Sequence, residues 1–367
     1  VLYINDKQIA IFSDIHFGKS KDSHTKLKIA EDYIVWFIQK LKENNIKTVL
    51  FLGDLFNNRN SISVKTLDSC YTSLKRFSDN DIKIIMLVGN HDMYMKEDDA
   101  INSIAHYSEI KGVTIVEETT DITFINDKKG VIFPFITKDE QIVNYKNYDY
   151  AFGHFEFFGA LMTTNQISDK GISSKVLEQI APLIFSGHFH IGKEYIFEKT
   201  KVVTVGSTHE LDWGDYNVEK HFIILNVEDS SYITIKNDFS PTHVKIYWSD
   251  VKKHDKKNFN RVAKNYIKIV VDSEYEFDQI IKLVNLINMM KPIRSCEVEY
   301  LYNVNFNSDF AYELQGDEEK KLNYTHIDYM NKFVEETPKE QINDLDISII
   351  KNTILDYYTV AASNVSN

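Results

Sequence analysis

"KTVLFLGD" runs from Lys47 to Asp54. Its centre, Val49 to Leu52, is apolar without alternation, and Gly53 then Asp54 close it. An apolar run this short marks a strand buried on both faces. Upstream, "KQIAIFSD" (Lys7–Asp14) is a second such strand, and Thr25–Asn45 between them has apolar residues at helical spacing. Downstream, Ser63–Ser78 is helical again and "IKIIMLVGNHD" (Ile82–Asp92) holds a third strand. This β-α-β-α-β alternation predicts an α/β sheet covered by helices on its faces.

The pattern continues through "YDYAFGH" (Tyr148–His154), "PLIFSGHFH" (Pro182–His190) and "KVVTVGS" (Lys201–Ser207). "KHFIILNVE" and "SYITIKND" follow as a closing hairpin. A boundary falls near Asp238–Ser249, before "VKKHDKKNFNRVAK" (Val251–Lys264). A second β-α-β pattern comes next: "YIKIVVD", a helix around "EFDQIIKLVNLINMM", then "CEVEYLYNV". From Thr325 there are two short amphipathic stretches, the second with Ile347, Ile350, Ile354 and Tyr357 on one face.

With 367 residues the chain can form one large domain and a smaller one. No stretch approaches the roughly 18 apolar residues of a membrane span, and no basic-then-apolar leader opens the sequence. Cys70 and Cys296 lie in unrelated contexts, which favours reduced structural thiols in a cytosolic protein over a disulfide or thiolate metal site. The net charge of −12 looks unfavourable for a nucleic-acid binder. The acidity is concentrated, however: residues 297–367 carry 14 Asp/Glu against 5 Lys, leaving 37 basic and 40 acidic residues upstream. Bound metals could supply the positive charge a phosphate site needs. The Val251–Lys264 run, with six Lys/Arg and one Asp, is either a solvated linker face or a contact for a phosphate backbone.

The chemistry sits at the strand ends. "SDIH" offers Asp14 and His16, "GDLF" Asp54, and "GNHD" Asn90 and His91. "FGH" adds His154, and "SGHFH" adds His188 and His190. In open α/β sheets the binding crevice lies beyond the carboxyl ends of the strands, so these residues should converge. His188 and His190 are two apart in a strand-like segment and should both face it. Singly, Asp14 reads as a helix cap, Asp54 and Asn90 as turn residues, and His154 as a satisfied, partly buried histidine. None of those readings explains the placement of all at successive strand ends. Imidazole, carboxylate and amide oxygen without thiolate suit manganese, iron or zinc. Seven such groups exceed the needs of one small cation; two cations bridged by Asp54 would use them. Two ions roughly 3.5–4 Å apart clamp the attacking and leaving oxygens of a phosphoryl displacement.

In their order and spacing, D-x-H, G-D, G-N-H-D, G-H and G-H-x-H resemble the calcineurin-like metallophosphoesterase superfamily over about the first 240 residues. The resemblance implies a β-sandwich flanked by helices, with a small α+β capping domain and C-terminal helices. The corresponding divisions are 1–240, 241–322 and 323–367. It also implies that Asp14, His16, Asp54 and His190 hold one metal, and Asp54, Asn90, His154 and His188 the other. His91 would not be a ligand but would face the scissile phosphate, as acid or charge stabiliser.

"SDIHFGKS", "GDLF" and the continuation into a small β-α-β domain resemble the SbcD-type DNA double-strand-break-repair nucleases, most of all those of T-even-like phages. Protein phosphatases carry a GD-x-x-DRG-type run at the second block instead. The implied function is a manganese-dependent, two-metal DNA nuclease subunit, a 3′-to-5′ exonuclease and endonuclease of break repair, recombination and replication. Implied partners are DNA and an SbcC-like SMC-type ATPase docked on the terminal helices, with a homodimer inside a heterotetramer. The location would be cytoplasmic, in the host if phage-encoded, with no membrane association. No DNA-contacting residue is assigned. One departure is Asn57, where cellular members usually have a histidine; Asn57 cannot carry a proton. His209, in "GSTHELDWGDY", reads either as a further substrate contact or as a surface-loop histidine. The rival function is a metallophosphatase or small phosphodiesterase of the same superfamily, which "GDLF" and the added domain argue against.

Overall fold

Side chains alternate along the central strands and divide between two cores. The computed structural model describes residues 1–95, 98–163, 166–255 and 258–301. In it Ala10, Phe12, Val49, Phe51, Ile84 and Met86 point to one side, and Ile9, Ile11, Leu50, Leu52, Ile85 and Leu87 to the other. The first set packs beneath the helices His24–Glu43 and Val64–Asp79. Leu27, Ala30, Ile34, Phe37 and Leu41 form the buried stripe of the longer helix, at the three- and four-residue steps that its periodicity predicts. The Ser63 side chain caps the second helix by accepting from the Thr66 N–H at 3.2 Å. Phe12 is central here, its ring 4.7 Å from that of Phe37 and 4.8 Å from that of Phe51. Truncating such a residue would cost about 3–5 kcal/mol.

The second set meets another sheet, not a helix. Ile122, Phe124, Ile132, Phe152, Phe185 and Val203 complete that inner core. The β-sandwich flanked by helices that the resemblance implies is therefore present, and only the strand pattern's suggestion of helices on both faces of the first sheet is corrected: a doubly buried strand has the same apolar sequence whichever element covers it. Leu177 and Ile180, on the helix Ser174–Ile180, pack with Val131, Phe133, Ala151 and Ile184 in a third core. The layers run helix, sheet, sheet, helix: an α/β sandwich.

The first sheet has six strands in the order Tyr232–Lys236, His221–Asn226, Gln8–Phe12, Thr48–Phe51, Lys83–Leu87, Val113–Val116. Its last four strands are parallel, and the expected hairpin closes one edge in antiparallel fashion. The second sheet has seven strands: Leu2–Ile4, Thr120–Phe124, Lys129–Ile136, Tyr150–Phe155, Leu183–Gly187, Lys201–Thr204, Lys193–Ile196. Strands Tyr150–Phe155, Leu183–Gly187 and Lys201–Thr204 run parallel. The segments around residues 113–136 form three strands that carry no motif in the sequence.

A further parallel sheet joins His243–Tyr247, Tyr266–Val271 and Glu297–Tyr300, with the helix Phe277–Met289 between the last two in sequence. One compact unit comprises Val1–Val271 and Lys282–Tyr300. The expected terminal helices, including Ile347, Ile350, Ile354 and Tyr357, lie outside the described residues, as do Lys256 and Lys257 of the basic run. Cys70 is buried, Cys296 half-buried, and both are free. Among the described residues no helix is long and apolar enough to cross a membrane.

Candidate metal centre

The carboxyl ends of the two sheets meet, and cross-sheet hydrogen bonds join them. His154, inside its strand, sends Nδ1–H to the Leu52 carbonyl at 2.7 Å. The His188 N–H donates to Asp14 Oδ2 at 3.2 Å. Gly187 makes this approach possible: a Cβ there would collide with Ser13 Oγ and the Leu52 carbonyl. On the first sheet, the amides of Asp14 and His16 donate to the carbonyls of Gly53 and Asp54 at 3.1 and 3.2 Å.

All eight singled-out residues come together around Asp54. His16 Nε2 faces His190 Nε2 at 3.1 Å and lies 3.8 Å from Asp14 Oδ1 and 3.7 Å from Asp54 Oδ2. On the other side, Asn90 Oδ1 is 3.0 Å from His154 Nε2 and 2.9 Å from His188 Nδ1. His154 Nε2 is 3.4 Å from Asp54 Oδ1. Among the described residues, Asp14–His16–His190, His16–Asp54–His91 and Asp14–Asp54–His154 each bring their ligand atoms within 4.8 Å of one another. Asp54 thus stands between a His16/His190 side and an Asn90/His154/His188 side.

His188 and His190 converge, but not by strand pleating. The strand stops at Gly187, and His188 takes a left-handed conformation with φ 82°. The chain bends there and buries Phe189 against Phe157. Asp14, His16 and Asp54 are also left-handed, with φ of 54°, 53° and 60°. Non-glycine residues seldom adopt this region, and such strain gathers at functional sites.

Asp92, not assigned a role from the sequence, holds this geometry. Its carboxylate accepts from the backbone N–H groups of Gly89 and Asp54 at 3.0 Å, Leu55 at 3.0 Å and Phe56 at 3.1 Å. One buried side chain therefore fixes both the G-D and the G-N-H-D turns. Gly89 is required where they touch, because a Cβ would run into the Asp54 amide and carboxylate.

The electrostatics fit cations. Asp14 Oδ1 and His16 Nδ1 are buried without a hydrogen-bond partner, a state that calls for an explanation in a folded protein. With Nδ1 donating to the Leu52 carbonyl, His154 Nε2 faces two acceptor oxygens, and the proton it carries there is one that a cation would replace. Burial opposes a charge on His154, yet Asp54 and then Asp14 outweigh it and raise the group to about 9. Burial lifts Asp14 to about 7 against the pull of His154. Burial also depresses His188 to about 3 and His190 to about 4. Burial alone would raise Asp54, but His154, His16 and His91 hold it well below the carboxylate range. Carboxylates, amide oxygen and imidazoles with facing lone pairs are a donor set that divalent cations satisfy.

The chain belongs to the calcineurin-like phosphoesterase family, whose model matches residues 7–192. The buried Asp/His clusters are consistent with the binuclear metal site of a metallophosphoesterase. Among individual proteins it is similar to exonuclease subunit 1 of Enterobacteria phage T4, 24% identical over 299 residues, which cover 77% of this chain and 84% of that protein. It is also 24% identical over 258 residues to the DNA double-strand break repair protein Mre11 of Nanoarchaeum equitans (strain Kin4-M), covering 59% of this chain and 66% of the relative. A solved structure described as a novel archaeal phosphodiesterase aligns with TM-score 0.36 and 17% identity, over 63% of this chain and 99% of its own.

Two neighbours of the centre turn their side chains to partners outside it. His209 is neither a surface-loop histidine nor in contact with the cluster. It is 3% exposed, bonded through Nδ1 to Thr208 Oγ1 at 2.9 Å and packed near Tyr33. Asn57 turns its side-chain amide to Asn58 at 3.0 Å, while its carbonyl accepts from His91 Nδ1 at 2.7 Å.

Proposed function

We propose that this chain is the nuclease subunit of a DNA-break-processing complex, hydrolysing DNA phosphodiesters with two manganese ions. The observation that carries the reading is the gathering of six donors and His91 around Asp54, itself the seventh donor. Similarity to a phage exonuclease subunit over 77% of the chain, and to a DNA double-strand break repair protein over 59%, supports the choice of DNA as substrate. Asp14, His16, Asp54 and His190 would hold one ion, and Asp54, Asn90, His154 and His188 the other. The ions would supply Lewis-acid charge and a water ionised near neutral pH. The protein's own part is to present the donors preorganised and to offer a proton. His91 Nδ1 donates to the Asn57 carbonyl, and Nε2, with no hydrogen bond among the described residues, would protonate the leaving oxygen or stabilise phosphoryl charge. The activity would be 3′-to-5′ exonucleolytic and endonucleolytic, in the cytoplasm, that of the host if the chain is phage-encoded.

In this reading residues 241–322 form a DNA-capping domain, and residues 323–367 dock on an SbcC-like SMC-type ATPase within a heterotetramer built on a homodimer. The test is digestion of end-labelled duplex DNA by the full chain with manganese, with and without the ATPase. Release of nucleotides from 3′ ends supports the proposal. Hydrolysis of nucleotides or phosphopeptides at rates far above duplex DNA would instead make the chain a phosphatase or small phosphodiesterase.

A further inference from the structure

Lys220 lies outside every motif, yet its ammonium is buried directly behind the centre. The side chain is 4% exposed. Nζ has three acceptors: the His190 carbonyl at 2.8 Å, Ser207 Oγ at 2.8 Å and Asp215 Oδ1 at 2.9 Å. Three donors and three acceptors leave the ammonium fully paired, which a buried charge requires. The Ser207 N–H reaches the same His190 carbonyl at 3.2 Å, so two donors fix one peptide oxygen. Ser207 also bridges to Ser13, the residue before Asp14.

Asp215 is itself held. Its second oxygen accepts from the Leu211 N–H at 2.8 Å, and the Leu211 carbonyl accepts from Lys26 Nζ at 2.7 Å. One residue earlier, Glu210 Oε2 accepts from the backbone and Nδ1 of His243 at 2.6 and 2.9 Å. The segment that carries the counter-ion is therefore anchored to the long helix and to the small sheet. A fixed carboxylate fixes the ammonium, and the ammonium fixes the bend that carries His190.

We propose that Lys220 is a positioning residue for one of the two metal sites: it sets the His190 backbone so that Nε2 faces His16. The inference rests on the binuclear reading above. Its scope is narrower than general stability, because Lys220 touches the His190 side of Asp54, and its three hydrogen bonds go to none of Asn90, His154 and His188.

The test is manganese binding by the full chain, read by titration calorimetry and by electron paramagnetic resonance. Lys220→Met alone would leave Asp215 buried and unpaired, so the working variant pairs Lys220→Met with Asp215→Asn. That pair is neutral, and the amide oxygen introduced at position 215 can still accept from the Leu211 N–H. The wild-type chain should bind two manganese ions with a spin-coupled spectrum. The double variant should hold one ion with unchanged affinity and the other about 10- to 100-fold more weakly. Its spectrum at one equivalent should show the six lines of isolated manganese. Lys220→Arg should restore part of the second site. Two ions bound with wild-type affinity in the double variant would overturn the inference, as would equal weakening of both sites. A wild-type chain that binds no manganese would remove the binuclear reading itself, and the inference with it.

Discussion

The backbone N–H of His91 donates to Asp54 Oδ1 at 2.9 Å, and its ring stands edge-on to that of His16 with centroids 5.0 Å apart. The residue that would act on substrate is thus tied by its main chain to the carboxylate that would bridge the metals, and among the described residues its Nε2 makes no hydrogen bond. Removing the imidazole should leave that main-chain bond intact. His91→Ala is expected to retain two manganese ions while losing about 10²- to 10⁴-fold in kcat. Full activity in this variant would eliminate the acid or charge-stabiliser role.

Asn57 supplies His91 with a backbone carbonyl, not a side chain. Asn57→Ala keeps that carbonyl, so kcat should stay within a few-fold of wild type. A loss as large as that of His91→Ala would show that the amide itself meets the substrate.

Asp92 accepts from four backbone amides at the junction of the two turns. Asp92→Ala should lower unfolding stability by about 3 kcal/mol or more, since each abandoned buried donor costs about 1–3 kcal/mol. Urea denaturation of the apo-protein would measure it. Asp92→Asn retains one acceptor oxygen and should lose less.

In the proposed centre, manganese would have to displace protons. Asp14 holds one up to about pH 7 and His154 up to about pH 9. Affinity should therefore rise with pH, steeply below 7 where both protons compete. Between 7 and 9 only His154 competes and the gain is about tenfold per unit; above 9 the curve should flatten. Calorimetry in buffers of different ionisation enthalpy should show proton release on binding at pH 7. An affinity independent of pH from 6 to 9 would contradict these assignments.

Truncation after Thr337 should leave manganese binding unchanged and abolish co-purification with an SMC-type ATPase. Unchanged co-purification would refute the docking role of the terminal segment.

Much of this was legible in the chain. The unbroken apolar runs of Gln8–Phe12, Thr48–Phe51 and Lys83–Leu87 mark strands covered on both faces, though not by what, and the strand-end position of Asp14, Asp54 and Asn90 is why they meet. The second sheet was only partly visible. Thr120–Phe124 and Lys129–Ile136 are separated by the turn residues Asn126 and Asp127 and end on no motif. His188 and His190 converge as a pleated strand would have them do, but the cause is different: left-handed backbone at His188 has no signature in a histidine's identity. Asp92 and Lys220 were hidden for a related cause: both act on backbone amides and carbonyls, which every residue has.

The central claim is that Asp54 stands between two cations. Anomalous diffraction at the manganese edge, from crystals of the full chain grown with manganese, tests it most directly. The account predicts two peaks roughly 3.5–4 Å apart on either side of Asp54, one beside His16 and His190, the other beside Asn90, His154 and His188. A single peak, or two peaks of which neither touches Asp54, would contradict it.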